Sequence, residues 1–391
     1  MNRRIQELVQ SARDEWRSLT KRKGVFTVLL LLPVLYPVLV SALYVNREAS
    51  ERPTLVLDLD NSELSRELAL HLDATQGLHV VGHPESTDQA FEELRQGHAE
   101  VFVRIPEDFS RSIKRGHQGK VGLWVNSANM YTYGVAALGV SNTVLALNKE
   151  LGAARLAKRG VSTTLAARRV LPITWDERDL FHPTASYGDF VVTGILLIVI
   201  QQIVLMSLAY SVGWQREDEV LQRTPYPFTH LSGKALVHLG FYFLGISLIV
   251  FVIFPVFGWP VRSPAAMFAL FSALAVTMVP PALLVASLVR DRFVAFQLLL
   301  FFSVPLFLMS GFTWPLDQMP VHVQAFAWLF PATPALQALR VLSMKAGDLH
   351  AVARHLWIMA LQWAVWSALA LVVVRRRWHR HLPSPPAPVT A

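Results

Sequence analysis

The chain has 391 residues, of which 53% are hydrophobic and only 16% charged, with 36 Lys and Arg against 28 Asp and Glu for a net charge of +8. Soluble domains carry about 25% charged residues, so this balance excludes an ordinary soluble globule. Cysteine is absent, which excludes disulfides, thiol catalysis and cysteine-based metal sites.

Residues 1–23 hold seven basic residues against three acids. Ile5, Leu8, Val9, Ala12, Trp16 and Leu19 recur there at helical spacing, while Arg4, Arg13, Arg17 and Lys21 lie largely off that stripe. The pattern predicts a cytoplasmic amphipathic helix lying in the membrane surface, with Trp16 at headgroup depth and Arg13 and Arg17 toward the headgroups. Residues 24–46 lack Asp, Glu, Lys and Arg and are long enough to span a bilayer as the first transmembrane helix, since about 20 apolar residues suffice. Val40 and Ala42 fit a signal-peptide cleavage pattern. The 23-residue basic segment and the long apolar stretch instead favour a retained span.

Residues 47–189 form the long polar stretch, with 16 basic and 19 acidic residues. Strands are predicted at Thr54–Asp60, Leu78–Gly82, Ala99–Ile105 and Lys120–Asn126. Helices are predicted at Ser62–Ala74 with Ser62 as N-cap, at Ser86–Gln96, from Pro106 to about Gly116, and at Met130–Lys158. Alternating strands and helices with short connections imply an α/β domain. At about 140 residues it can bury a core without disulfides.

Five further charge-free runs follow, at 190–215, 235–261, 263–289, 293–316 and 355–374, each of spanning length. They make residues 190–374 a five-helix transmembrane bundle. Run 318–339 is also charge-free but contains Pro320, Pro331 and Pro334. Three prolines break the helical ladder, so short helices at the outer interface are expected there instead of a span. The basic tail 375–391 begins Arg375-Arg376-Arg377. By the positive-inside rule both ends lie in the cytoplasm, which requires an even number of spans. The expected fold is a polytopic α-helical membrane protein of the cytoplasmic (inner) membrane: six transmembrane helices with an extracytoplasmic α/β domain inserted after the first. The basic excess sits mainly in the two ends, so its counterpart is anionic membrane lipid, and no nucleic acid is required.

No nucleotide-binding P-loop occurs; Gly116-His117-Gln118-Gly119-Lys120 has the wrong spacing. No H-E-x-x-H or G-x-S-x-G string is present. Asp58-Leu59-Asp60-Asn61 lacks the glycine and terminal glutamate of a calcium loop. No catalytic residue, metal or cofactor is expected. Within the spans ionisable residues are nearly absent, with His238 inside the third and Asp189 at the mouth of the second. The amides Gln201, Gln202, Gln297 and Gln362 suit helix–helix hydrogen bonds. The chain carries no visible energy source of its own.

Three stretches resemble the permease subunits of ABC-2 type exporters. Met309-Ser310-Gly311-Phe312-Thr313-Trp314-Pro315, followed by Met319-Pro320, Gln324, Pro331-Ala332-Thr333-Pro334 and Arg340, is similar to that family's S-G-F, M-P and P-x-T strings with a downstream arginine. Arg216, Glu217, Glu219, Thr224, Pro225 and Gly233-Lys234 resemble its coupling loop, although the central Gly-Thr is missing and the loop is shorter. Asp58, Asp60, Ser62, Ser65-Arg66 and Ile105-Pro106 with Phe109-Ser110 resemble permeases with a large insert between spans one and two.

The resemblance implies a transport subunit without enzymatic activity of its own, exporting an amphipathic or apolar, drug- or lipid-like substrate. It implies ABC ATPase subunits as partners, docked on a cytoplasmic coupling loop at 214–234, and a second permease subunit, identical or related. It also implies an outer gate or elbow at 312–345, with Ser310, Gly311, Phe312, Pro315, Met319, Pro320, Pro331, Pro334 and Arg340 as its residues. A periplasmic adaptor taking substrate from the outer domain is expected by analogy. Two rivals stay open: a stand-alone proton-driven exporter, and a membrane sensor or scaffold whose outer domain binds a ligand.

Overall fold

The computed structural model describes residues 3–21, 23–45, 51–128, 130–162, 165, 186–217, 226–289, 291–345 and 347–378. Its contacts divide the chain into one unit of Met1–Arg47 with Asp179–Ala391, and another of Glu48–Arg178.

The smaller unit is a three-layer α/β fold. Its strands β1 (Arg52–Asp58), β2 (Leu78–Gly82), β3 (Val101–Ile105) and β4 (Gly122–Val125) form one sheet in the order β2-β1-β3-β4. β1 runs parallel to β2 and β3, with Val56 opposite Val103, and β4 runs antiparallel to β3, with Phe102 opposite Trp124. Side chains alternate across a strand, and the core follows that period. Val56, Val101, Val103 and Ile105 pack with Leu68 and Leu72 of a helix Glu63–Asp73 and with Ala136 and Val140 of a long helix Met130–Lys158. Leu55, Leu57 and Phe102 pack on the other face with Ala90 of the helix Thr87–Gln96.

Local capping fixes the element ends. Ser62 caps the helix Glu63–Asp73 in a reciprocal box with Ser65, and Ser86 accepts from Gln89 N at 3.2 Å. The helix expected from Pro106 starts instead at Phe109 and runs to Lys114. Ile105 is still held to the sheet, where its carbonyl accepts from Leu59 N at 3.0 Å, so Pro106 serves a turn closed by Phe109 N.

The larger unit begins with two helices, α1 (Arg3–Lys21) and α2 (Lys23–Leu43). With the smaller unit's helices taken as α3 to α6 in chain order, it continues with α7 (Tyr187–Glu217) and α8 (Pro227–Leu248), which runs on through a π-helical turn, Ile249–Ile253, to Phe257. Then come α9 (Pro264–Leu288), α10 (Arg292–Met309), two short helices α11 (Val321–Ala327) and α12 (Ala332–Met344), and α13 (Leu349–Trp378). Four of these are long and apolar enough to cross a membrane: Tyr187–Gly213, Pro227–Phe257, Pro264–Leu288 and Leu349–Arg377. At about 1.5 Å per residue, even the shortest, with 25 residues, exceeds a hydrocarbon core of about 30 Å.

The two other expected spans lie on α2 and α10, whose described apolar stretches are Leu29–Leu43 and Phe293–Met309. Both contain proline, at Pro33, Pro37 and Pro305. α9 is the core helix, with Leu270, Phe271, Leu274 and Ala275 inaccessible to solvent and α7 and α13 packed against it. On α10 and α13, large apolar side chains such as Phe301 and Trp357 project outward, 71% and 77% exposed.

Candidate functional site

The end of α10 is tied into a knot by its own following helix. Ser310 terminates α10, and Gly311 turns the chain with a φ of +82°, a conformation open to glycine at little cost. A side chain at Gly311 would also stand 2.4 Å from Leu316. From α12, Arg340 Nη2 donates to the carbonyls of Gly311 and Phe312 at 2.8 and 2.7 Å, and Gln337 Nε2 donates to that of Ser310 at 2.9 Å.

The knot drives the Phe312 ring into α7. It stacks on Phe190 with centroids 4.5 Å apart, and the Arg340 guanidinium lies 5.7 Å from its centre. Space for the ring exists because position 194 is glycine: a Cβ there would fall 2.2 Å from Phe312. The short helices are pinned in turn. Thr333 Oγ1 donates to Ala327 O at 2.6 Å, and Gln362 Nε2 of α13 to Trp328 O at 2.7 Å.

A second polar knot joins α1 to α8. The helices touch backbone to backbone at Gly233, where a Cβ would lie 2.5 Å from Leu8 O and 2.9 Å from Ser11 Cβ. Ser11 Oγ donates to His230 O at 2.6 Å, and the Glu7 carboxylate lies 3.3 Å from His230 Nδ1. Deeper in, Glu15 is 2% exposed, Lys234 1% and His238 0%. Lys234 Nζ meets Glu15 Oε2 at 2.7 Å, and His238 Nε2 meets Oε1 at 3.0 Å.

Ser211 of α7 donates to Glu15 Oε1 and accepts from Lys234 at 3.0 Å. Tyr242 OH lies 3.3 Å from His238 Nδ1 and is hydrogen-bonded to Ser207. Burial alone would push the Glu15 carboxyl up; the His238 hydrogen bond and the Lys234 charge override it and hold the group well below the usual carboxylate range. α1 therefore buries its Ser11–Glu15–Leu19 face, while Ile5, Val9 and Trp16 of the apolar stripe are about half exposed. Arg13 and Arg17 are exposed too.

Between α2, α7 and α10 lies a cavity of about 570 Å³. Leu29, Leu32, Ile198, Ile203, Phe296, Leu300 and Val304 give it apolar walls, and Gln202, Ser207, Tyr210 and Ser303 supply the polar points. Gln202 donates to Leu299 O at 3.4 Å, while its own carbonyl oxygen has no hydrogen-bond partner among the described residues.

A family profile described as "ABC-2 family transporter protein" matches residues 22–372. The chain belongs to the ABC-2 transporter family. Among curated proteins it is similar to "Probable multidrug ABC transporter permease YbhR" of Escherichia coli K12, 23% identical over 370 residues, covering 93% of this chain and 97% of that protein. It is also similar to "Probable multidrug ABC transporter permease YbhS" of the same organism, 29% identical over 180 residues, covering 44% of this chain and 47% of the relative. A third relative, "ABC transporter G family member 20" of Dictyostelium discoideum, is 23% identical over 314 residues, which is 76% of this chain but 41% of that larger protein. The chain is thus an ABC-2 permease and a multi-pass membrane protein with four candidate spans.

In this ABC-2 permease the motif residues fall into separate places. Ser310, Gly311, Phe312 and Arg340 form one knot, and Pro331 and Pro334 are buried at the start of α12. Pro315, Met319 and Pro320 lie on the exposed or half-exposed limb between them. Of the coupling-loop residues, Arg216 and Glu217 end α7, while Glu219, Thr224 and Pro225 lie outside the described residues. Gly233 and Lys234, read as loop from the sequence, belong to α8 and face α1.

The strings of the α/β unit are structural. Asp58 accepts from the Asp60 and Asn61 amides at 3.0 Å and from Ser65 Oγ at 2.6 Å, and Asp60 accepts from Ser110 N at 3.2 Å. Partial burial pushes the Asp60 carboxyl up, but hydrogen bonds from Ser62 and Ser110 hold it below its ordinary value.

Sequence reasoning missed Glu15. A single acid on a basic amphipathic helix reads as a solvated charge, and its one visible signal is its place on the Ser11–Leu19 line. One group that sequence spacing did not bring together is Glu67, His71 and Glu150, with possible ligand atoms within 4.8 Å of one another on the surface of the α/β unit.

Proposed function

We propose that this ABC-2 permease is the membrane subunit of an ATP-driven exporter. It moves an amphipathic or apolar, drug- or lipid-like substrate out across the cytoplasmic membrane. The observation that carries the reading is the cavity of about 570 Å³ between α2, α7 and α10, with apolar walls and a few polar points, the composition expected of a site for such a molecule. YbhR and YbhS, both described as multidrug permeases, support that substrate class.

Energy comes from separate ATPase subunits, because the chain lacks a P-loop. The similarity to two permeases of one organism supports a second permease subunit facing this one. Six spans, α2, α7, α8 with its continuation, α9, α10 and α13, put both basic ends in the cytoplasm and the α/β unit outside. The segment Arg216–Pro225, with Arg216, Glu217, Glu219, Thr224 and Pro225, docks on the ATPase. The segment Ser310–Pro334, held by Arg340, closes the outer mouth. ATP binding does transport work only by favouring one state of the bundle over the other.

The test is purification of the full chain with its cellular partners in mild detergent, followed by ATP-dependent uptake of a lipophilic cationic dye into inside-out vesicles. An ATP-hydrolysing subunit is expected to accompany the chain, and Glu217→Ala with Glu219→Ala is expected to release it and stop uptake. The reading fails if no such subunit accompanies it and the double variant changes nothing.

A further inference from the structure

Three features share one short stretch of α1 and α8. The residues proposed to meet the ATPase end at Pro225 in the sequence, and α8 starts at Pro227. Over the following three turns α8 is fastened to α1 by the Gly233 contact, the Ser11–His230 and Glu7–His230 contacts, and the Glu15–Lys234–His238 cluster. At the loop end, Arg4 sits over the Tyr226 ring, 5.8 Å from its centre. The start of α2 follows α1 after one residue, and Leu29, Leu32 and Tyr36 of α2 wall the cavity.

A buried ion pair is weak support for stability, because desolvation offsets most of the attraction. An amphipathic helix needs no such pair to stay at a membrane surface, since its apolar face and basic residues suffice. What the cluster adds is direction. A carboxylate held by an ammonium, an imidazole and a hydroxyl at once fixes both the rotation and the axial position of α1 against α8, which apolar packing alone specifies less sharply.

We propose that Glu15, Lys234 and His238 are positioning residues for transport, a latch that makes α1 and α8 move as one body and so delivers displacement of the Arg216–Pro225 segment to α2, the wall of the cavity. This rests on the reading of the chain as an ATP-driven permease with that segment as the ATPase contact. The latch makes α1 a lever between segment and cavity, beyond any role as an anchor on the membrane surface.

The chain has no native cysteine, so introduced cysteines report alone. In the full permease purified with its ATPase subunits, spin labels at Leu39→Cys on α2 and Leu308→Cys on α10, both about half exposed, read the separation of the two walls. Trapping with ATP and vanadate is expected to shift that distance. Glu15→Gln is expected to abolish the shift and to lower dye transported per ATP hydrolysed by about tenfold or more, the usual scale of a coupling free energy between two sites, while hydrolysis itself and ATPase retention continue. A misfolded variant would lose all of these together. Full retention of the shift in Glu15→Gln overturns the latch.

A second measurement leaves the cluster intact. Joining Arg4→Cys to Tyr226→Cys with a short bis-maleimide is expected to leave the ATP-induced shift and hydrolysis unchanged, because the two helices do not slide. Hydrolysis or shift blocked by that link overturns the latch. A parent complex without any ATP-hydrolysing subunit overturns the functional reading first and the latch with it, an outcome distinct from the other two.

Discussion

Phe312 depends on a missing side chain, that of Gly194. A methyl group there would fall 2.2 Å from the ring, and neither the stacked Phe190 nor Arg340 leaves the ring room to retreat. Gly194→Ala is therefore expected to destabilise the permease by about 1–3 kcal/mol, the usual cost of overpacking, seen as a lower thermal transition in detergent. Pairing it with Phe312→Leu should recover part of the loss; no recovery would mean that the two positions do not compete for the same space. The phenylalanine and the arginine were legible in the sequence as parts of a family string, but the glycine was not. It lies more than a hundred residues away in a run of apolar residues, where nothing distinguishes a glycine that admits a ring from one that packs helices. Glu15 was hidden for the opposite reason, since exposed acids are common and only a partner on another helix reveals a buried one.

The elements divide by how local their causes are. Strands and helices of the α/β unit follow from alternation and from Ser62 and Ser86 at N-caps, so sequence reading locates them within a few residues. The exception, Pro106, is set by a strand pairing that the local sequence does not announce. The break between α10 and α12 was legible too, because prolines cannot continue a helix. What holds that break in shape was not. Arg340 serves two carbonyls from Nη2 while its planar guanidinium lies against the Phe190 and Phe312 rings, a combination that a lysine's compact ammonium does not reproduce. Arg340→Lys is expected to lower both thermal stability and dye uptake, and Gln337→Ala, which frees one carbonyl, to do so less, by about 1–3 kcal/mol in stability. A wild-type melting curve for Arg340→Lys would contradict the staple.

For the molecule as a whole, charge placement carried most of the sequence reading, and it makes the topology testable. With no native cysteine, Gln96→Cys in the α/β unit is expected to react with an impermeant maleimide on intact cells, and Thr390→Cys only after lysis. The reverse pattern would invert the proposed orientation. The joint between α1 and α8 has a further consequence for how the protein is made. Glu15 and His238 are 223 residues apart, and at a synthesis rate of roughly 5–20 residues per second the first waits some 10–45 s for the second. During that interval Glu15 lacks the ammonium and the imidazole that hold it in the folded permease, and of its described partners only Ser211 of α7 has been made. When α8 emerges, it must enter the bilayer carrying an ammonium group. A nascent chain paused before Lys234 is thus an incomplete insertion intermediate, and quality control that recognises unmatched charge in membranes would have Glu15 to sense.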